Sequence, residues 1–127
     1  MTPANPLIST LQSYLQLTET RAQAITSNMA NVDTPGYKTR DIDFEGELQK
    51  AMNSTLHQAS YGAGSAHLTP VVQEVSGLLE RPDGNNVSLD REGLLMSETQ
   101  LQYQIASQLL KHQFHQMLSA INGGGQS

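Results

Sequence analysis

Apolar or small residues recur at Ile8, Leu11, Leu15, Thr18, Ala22, Ile25, Met29 and Val32, in steps that alternate three and four. No other feature restricts the fold as much. Such alternation is a heptad seam, which keeps to one face of a helix for about three and a half repeats and demands a partner helix. Thr18 and Ala22 are weak knobs, so the seam thins at its middle. The spacing predicts a helix from about Asn5 to Asn31. Asn5 is a good N-cap, and Pro6 takes the first helical position, where a missing N–H is no loss. The helix stops before Pro35, which pushes Thr34 out of the helical region.

A second helix is predicted from about Leu89 to Ile121. Ser88 caps it, Asp90 and Glu92 lie in its first turn where the macrodipole favours anions, and the run Gly123-Gly124-Gly125 ends it. At 1.5 Å per residue it spans roughly 50 Å. Its apolar residues form two stripes. Leu94, Leu101, Ile105 and Leu109 fall on one side, while Tyr103, Leu110, Phe114, Met117 and Ile121 fall nearly opposite. One short partner cannot cover both. Either the helix shifts its contact face along its length, or it lies between several neighbours, some from other subunits. Charge placement favours the second arrangement. Only Glu19 and Arg21 are charged between Asn5 and Asn31, and only Lys111 between Thr99 and Ser127. The outer positions are amides and hydroxyls such as Gln100, Gln104, Gln108, Gln116 and Ser119. A solvated helix carries Lys and Glu there, whereas uncharged amides lose their water at far lower cost than ions.

The expected fold is therefore mainly α: long N- and C-terminal helices pairing as a coiled-coil-like hairpin, with a short irregular or β middle segment. Residues 1–35 together with 86–127 would form a discontinuous helical core, and residues 36–85 a small segment, partly extended and partly mobile. In that segment Thr34-Pro35-Gly36-Tyr37 reads as a type II turn, with Pro at its second position and Gly at its third. Lys38 to Phe44 is expected to be extended and Glu45 to Leu56 weakly helical. From Asn53 to Pro70 the chain is Ser, Gly, Ala, His and Thr with little apolar content, which reads as a loop or mobile stretch. Val71, Val72, Val75, Leu78 and Leu79 suggest a short strand or pair, and Arg81 to Asn86 a closing turn.

A core built from this chain is small. Aromatics are 5% and Trp is absent, and a marginal lone monomer is expected. The net charge of −5 argues against nucleic acid or an anionic lipid surface as partner. There is no cysteine, hence no disulfide, thiolate chemistry or Cys-ligated zinc. No stretch approaches the roughly 18 apolar residues of a membrane span. Met1 to Leu17 lacks the basic flank and cleavage site of a general secretory signal.

Little in the sequence supports catalytic or metal chemistry. His112 and His115, three apart, share a helix face, but no third ligand lies within the next turn. Asp41, Asp43 and Glu45 alternate, and an extended chain would put three carboxylates on one side, a pairing that enzymes use for acid–base work. With Lys38 and Arg40 interleaved, they read as solvated acids beside two bases. Asp83-Gly84-Asn85-Asn86 through Asp90 fails as a calcium loop, since Gly stands second and no Glu stands twelfth. No nucleophile elbow or phosphate-binding glycine loop appears. The expectation is no enzyme, no catalytic residue, no metal, no cofactor and no small-molecule substrate.

Asn28-Met29-Ala30-Asn31-Val32-Asp33-Thr34-Pro35-Gly36-Tyr37-Lys38 closely resembles the N-terminal signature of bacterial flagellar rod and hook proteins, in which a long helix ends and the chain turns through Thr-Pro-Gly-Tyr. Arg21 and Ile25 match its upstream spacing. Asp41-Ile42-Asp43-Phe44 follows directly. Arg81-Pro82-Asp83-Gly84-Asn85-Asn86-Val87-Ser88-Leu89-Asp90-Arg91-Glu92 resembles the tract typical of proximal rod proteins of the FlgB type, and the short length fits them too. Gly93 departs from the pattern, which has a larger apolar residue there, usually Met. Asn53 to Leu79 carries no resemblance.

The resemblance implies a structural subunit of the proximal rod of the flagellar basal body. Such subunits are exported unfolded by the flagellar type III apparatus, without a cleaved signal peptide, and polymerise in the periplasm. Expected partners are other copies, other proximal rod proteins, the rod–basal-ring adaptor protein, and the membrane-ring and export-gate components. Folding would be coupled to assembly, with docking covering both stripes of the last helix and offsetting the ordering entropy. Asn28 and Asn31 would bond the helix end, Pro35 and Gly36 fix the exit direction, and Tyr37 pack the turn. The alternative is a soluble helical adaptor or chaperone-like protein that binds one client and is stably helical alone.

Overall fold

A computed structural model describes residues 5–61 and 69–123 of the chain. In chain order it contains α1 (Pro6–Ala30), β1 (Arg40–Ile42), α2 (Phe44–Tyr61), β2 (Val72–Glu74) and α3 (Leu89–Gly123). The mainly α architecture with long terminal helices and a small β element is the one expected.

α1 begins as its sequence dictates. Asn5 is the N-cap, its side-chain oxygen accepting the Leu7 N–H at 2.9 Å, and Pro6 follows it. Asn31 caps the other end. α3 returns antiparallel along α1, because Asn28 near the end of α1 meets Glu92 near the start of α3. Residues Thr18 and Ala22 share one groove with Thr99 and Tyr103. From the Asn28–Glu92 level α1 has about 22 residues left, so about two turns of α3 extend past Pro6.

The core is thin and centred on α1. Leu11, Leu17, Ala24 and Ile25 are buried on it, as are Thr18 and Asn28. The heptad seam accounts for Leu11, Thr18 and Ile25. Leu17 and Ala24 lie outside it and are covered because α1 also packs against α2 and β1, which widens its buried face beyond one stripe. Ile8, Leu15 and Met29 are half-buried. On α3 the buried residues are Glu92, Thr99 and Ala106, seven apart. Its inward seam is thus small and polar rather than apolar.

The middle segment is more ordered than its composition suggested. β1 and β2 pair antiparallel, Arg40 opposite Glu74, Asp41 opposite Gln73 and Ile42 opposite Val72. α2 reaches Tyr61, which corrects the expectation of a loop from Asn53; no Pro or Gly interrupts residues 47–61, and nothing stops a helix once nucleated. The remainder of that expected loop up to residue 68 lies outside the described residues, as do Gly124 and Gly125 of the predicted stop. Asp43 caps α2, accepting the Gly46 N–H at 3.2 Å. Phe44 stands edge-on to Tyr14 of α1, centroids 5.0 Å apart at 80°, and the Arg21 guanidinium lies 5.8 Å over the same ring.

Asp41 corrects the reading of three solvated acids. It is buried, and it accepts two hydrogen bonds from Arg21, Nε to Oδ1 at 3.1 Å and Nη2 to Oδ2 at 3.0 Å. This fork joins β1 to the middle of α1. Asp43 and Glu45 stay exposed, so the three carboxylates do not form one cluster.

Candidate functional site

Two stretches far apart in the chain, residues 28–39 and 81–92, close on one another at the end of the hairpin. The first contains the turn. Tyr37 N–H donates to the Thr34 carbonyl at 3.2 Å, and Gly36 has φ +76°, the left-handed value a type II turn needs at its third position. The second turns at Gly84, φ +87°, with its N–H on the Arg81 carbonyl at 2.8 Å. The turns touch. Gly36 N–H donates to the Asp83 carbonyl at 2.9 Å, and a Cβ on Gly84 would stand 3.2 Å from the Gly36 Cα.

Three buried asparagines fasten these stretches. Asn28 uses its full hydrogen-bonding capacity. Its Nδ2 donates to the Arg40 carbonyl at 2.8 Å and to Glu92 Oε2 at 3.1 Å. Its Oδ1 accepts the Arg40 N–H at 3.0 Å and the Tyr37 hydroxyl at 3.1 Å. One amide therefore ties α1 to the turn, to β1 and to α3. Asn85 donates from Nδ2 to the carbonyls of Asn31 and Thr34, both at 2.9 Å, and accepts the Val87 N–H at 2.8 Å. Asn86 Oδ1 accepts the Thr39 N–H at 2.7 Å. Around them Asn31 Nδ2 reaches back to the Ser27 carbonyl at 2.8 Å, and Thr34 Oγ1 donates to Asn31 Oδ1 at 3.0 Å. Arg81 donates to the carbonyls of Val87 and Val32. Lys38 Nζ reaches the Gly84 carbonyl at 2.6 Å and pairs with Glu80.

Glu92 is the unusual member. Read from the sequence it is a first-turn anion favoured by the macrodipole; in the structure it is 0% exposed. Besides Asn28, it is held by Arg91, Nη1 to Oε1 at 3.0 Å. A buried carboxylate is tolerated only when paired and hydrogen-bonded. No sequence signal marked Glu92 as buried, nor Arg81 as a donor to the Val32 and Val87 carbonyls within this polar knot of residues 28–39 and 81–92. The other signature residues lie outside: Ala30, Asp33, Pro35, Pro82 and Asp90 are exposed.

Beyond the knot, α3 presents an open apolar face. Leu94, Leu101, Ile105 and Leu109 are 71%, 57%, 51% and 49% exposed, on the side away from Glu92, Thr99 and Ala106. In the second stripe Leu110 and Met117 are half-buried, while Tyr103, Phe114 and Ile121 are exposed. Among the described residues, no group of three or more His, Cys, Asp or Glu is placed to hold a metal ion, and the His112 ring nitrogen faces the Gln116 amide at 3.1 Å.

Residues 8–38, α1 through the turn, match the family described as "Flagella basal body rod protein". The chain is 34% identical over 125 residues to the flagellar basal body rod protein FlgB of Salmonella typhimurium, covering 89% of this chain and 91% of that protein. It is 35% identical to FlgB of Escherichia coli K12 over the same shares. To FlgB of Cereibacter sphaeroides it is 39% identical over 116 residues, covering 86% and 88%. These likenesses span both tracts that build the knot and both helices that flank it: the chain belongs to the FlgB family of flagellar basal body rod proteins.

Proposed function

We propose that the chain is a structural subunit of the proximal part of the rod, exported by the flagellar type III apparatus without a cleaved signal peptide and assembled in the periplasm to transmit torque. Its neighbours are other copies, other proximal rod proteins, the rod–basal-ring adaptor protein, and the membrane-ring and export-gate components. Residues 1–35 with 86–127 form the part that polymerises, and residues 36–85 ride on it. No catalysis is involved. The observation that carries this reading is the row Leu94, Leu101, Ile105 and Leu109, left open on a helix that turns Glu92, Thr99 and Ala106 inward instead. A monomer gains little by keeping four large aliphatic side chains in water. Covering what remains exposed of each is worth about 1 kcal/mol, enough in sum to drive docking and offset ordering.

Ile105→Asp tests this. A carboxylate at mid-stripe makes burial costly, and non-motile cells with truncated basal bodies are expected. Gln104→Asp, exposed and on the flank of the helix off the stripe, serves as control. Normal swarming and complete basal bodies with Ile105→Asp would overturn the proposal.

A further inference from the structure

The α1–α3 seam does little to choose its own alignment. Buried α3 residues Glu92, Thr99 and Ala106 are seven apart, and so are Leu11, Thr18 and Ile25 on α1. Sliding one helix by a heptad, about 10 Å, sets Ala106 where Thr99 was and Thr99 where Glu92 was. Neither Thr nor Ala is a knob that the facing hole would refuse, so the apolar seam alone permits the slip. The polar groups do not. Asn28 would lose Glu92, and a carboxylate with no exposed surface would leave its amide donor behind, which disfavours the slipped form by on the order of a hundredfold or more. Asn85 adds an independent tie. It sits just ahead of α3 yet donates to Asn31 and Thr34 at the end of α1, so it fixes where one helix starts relative to where the other stops.

We infer that Asn28, Asn85 and Glu92 set the register of the α1–α3 hairpin. They are positioning residues: through the register they fix where the open row of α3 stands relative to the turn. That use rests on the rod reading, because a one-heptad slip would bring the row to a neighbour about 10 Å out of place; the register itself does not depend on it. A single buried polar pair can specify alignment in coiled coils at a cost in stability.

The chain lacks cysteine, so register can be read by disulfide trapping in the purified full-length protein. Ala22 and Thr99 line one groove, and A22C with T99C reports the native alignment. A22C with A106C, and L15C with T99C, report the two one-heptad slips. In the otherwise native chain only the first pair should close. With Asn28→Leu, Asn85→Ala and Glu92→Leu combined, one slipped pair should close at least about tenfold above its native background. Glu92→Gln keeps an acceptor for Asn28 and should keep the native pattern. The inference is overturned if the combined variant closes only the native pair. It is equally overturned if that variant closes none, since the knot would then support folding rather than alignment. Trapping in the isolated chain reports nothing about assembly, so it stands or falls apart from the Ile105→Asp result.

Discussion

Gly36 and Gly84 face each other across the two turns, and their environments differ in a way that substitution can separate. Both have positive φ, +76° and +87°. A Cβ on Gly36 meets nothing within 4 Å, whereas one on Gly84 stands 3.2 Å from the Gly36 Cα and 3.6 Å from its nitrogen. Gly36→Ala therefore costs only the left-handed penalty, about 1 kcal/mol. Gly84→Ala adds a contact against backbone that the Gly36–Asp83 hydrogen bond holds at 2.9 Å; overpacking of this kind adds about 1–2 kcal/mol, for a total of about 2–3 kcal/mol. In thermal unfolding of the full chain, at about 4 °C per kcal/mol for this size, the expected drops are about 4 °C and about 8–12 °C. Asn, which tolerates the left-handed region, should be milder than Ala at 36 and no milder at 84. Gly36→Val, β-branched at positive φ, should exceed Gly36→Ala and block assembly. Equal effects of Ala at the two positions would refute the claim that the turns are in backbone contact.

Gly93 lies inside α3 with open space where a Cβ would point, so Gly93→Ala should raise the unfolding free energy read from urea melts by the helix-propensity difference, about 1 kcal/mol; a loss of stability would mean that the position is not open. Burial, with Glu98 nearby, raises the Tyr14 hydroxyl pKa above its ordinary 10.0. The folded state thus holds the proton more tightly than the unfolded one. This contribution is complete below pH 10 and fades as pH rises through the raised value. Tyr14→Phe, which keeps the ring against Phe44, should flatten the alkaline loss of stability in a pH series of urea melts.

Local signals were legible where one residue type settles a local geometry. Asn5 with Pro6 marked the start of α1, Pro35 its limit, and Pro35-Gly36 the turn. Ser88 is indeed the residue before α3, its hydroxyl accepting the Arg91 N–H at 3.3 Å. Legibility failed where tertiary neighbours decided the outcome. Leu17 and Ala24 are buried by α2 and β1, elements whose positions no periodicity reveals. α3 turns its polar and small residues inward and its leucines outward, the reverse of what an apolar stripe suggests for a lone domain. Asn85, Asn86 and Glu92 carry ordinary turn and cap signals, and only partners far upstream in the chain, 51, 47 and 64 residues away, make them buried. Asp41 was misread for the same reason, its counter-ion lying twenty residues upstream.

The asparagine and glutamate fastening sits at one end of a long two-helix arm, at the level of Asn28 and Glu92. Opening therefore begins at the far tip and travels inward turn by turn, as a zip runs toward its stop, so protection of backbone amides from solvent exchange should climb steadily from Ile8 toward Asn28. A molecule graded in this way can release its loose end while keeping a seed from which order regrows.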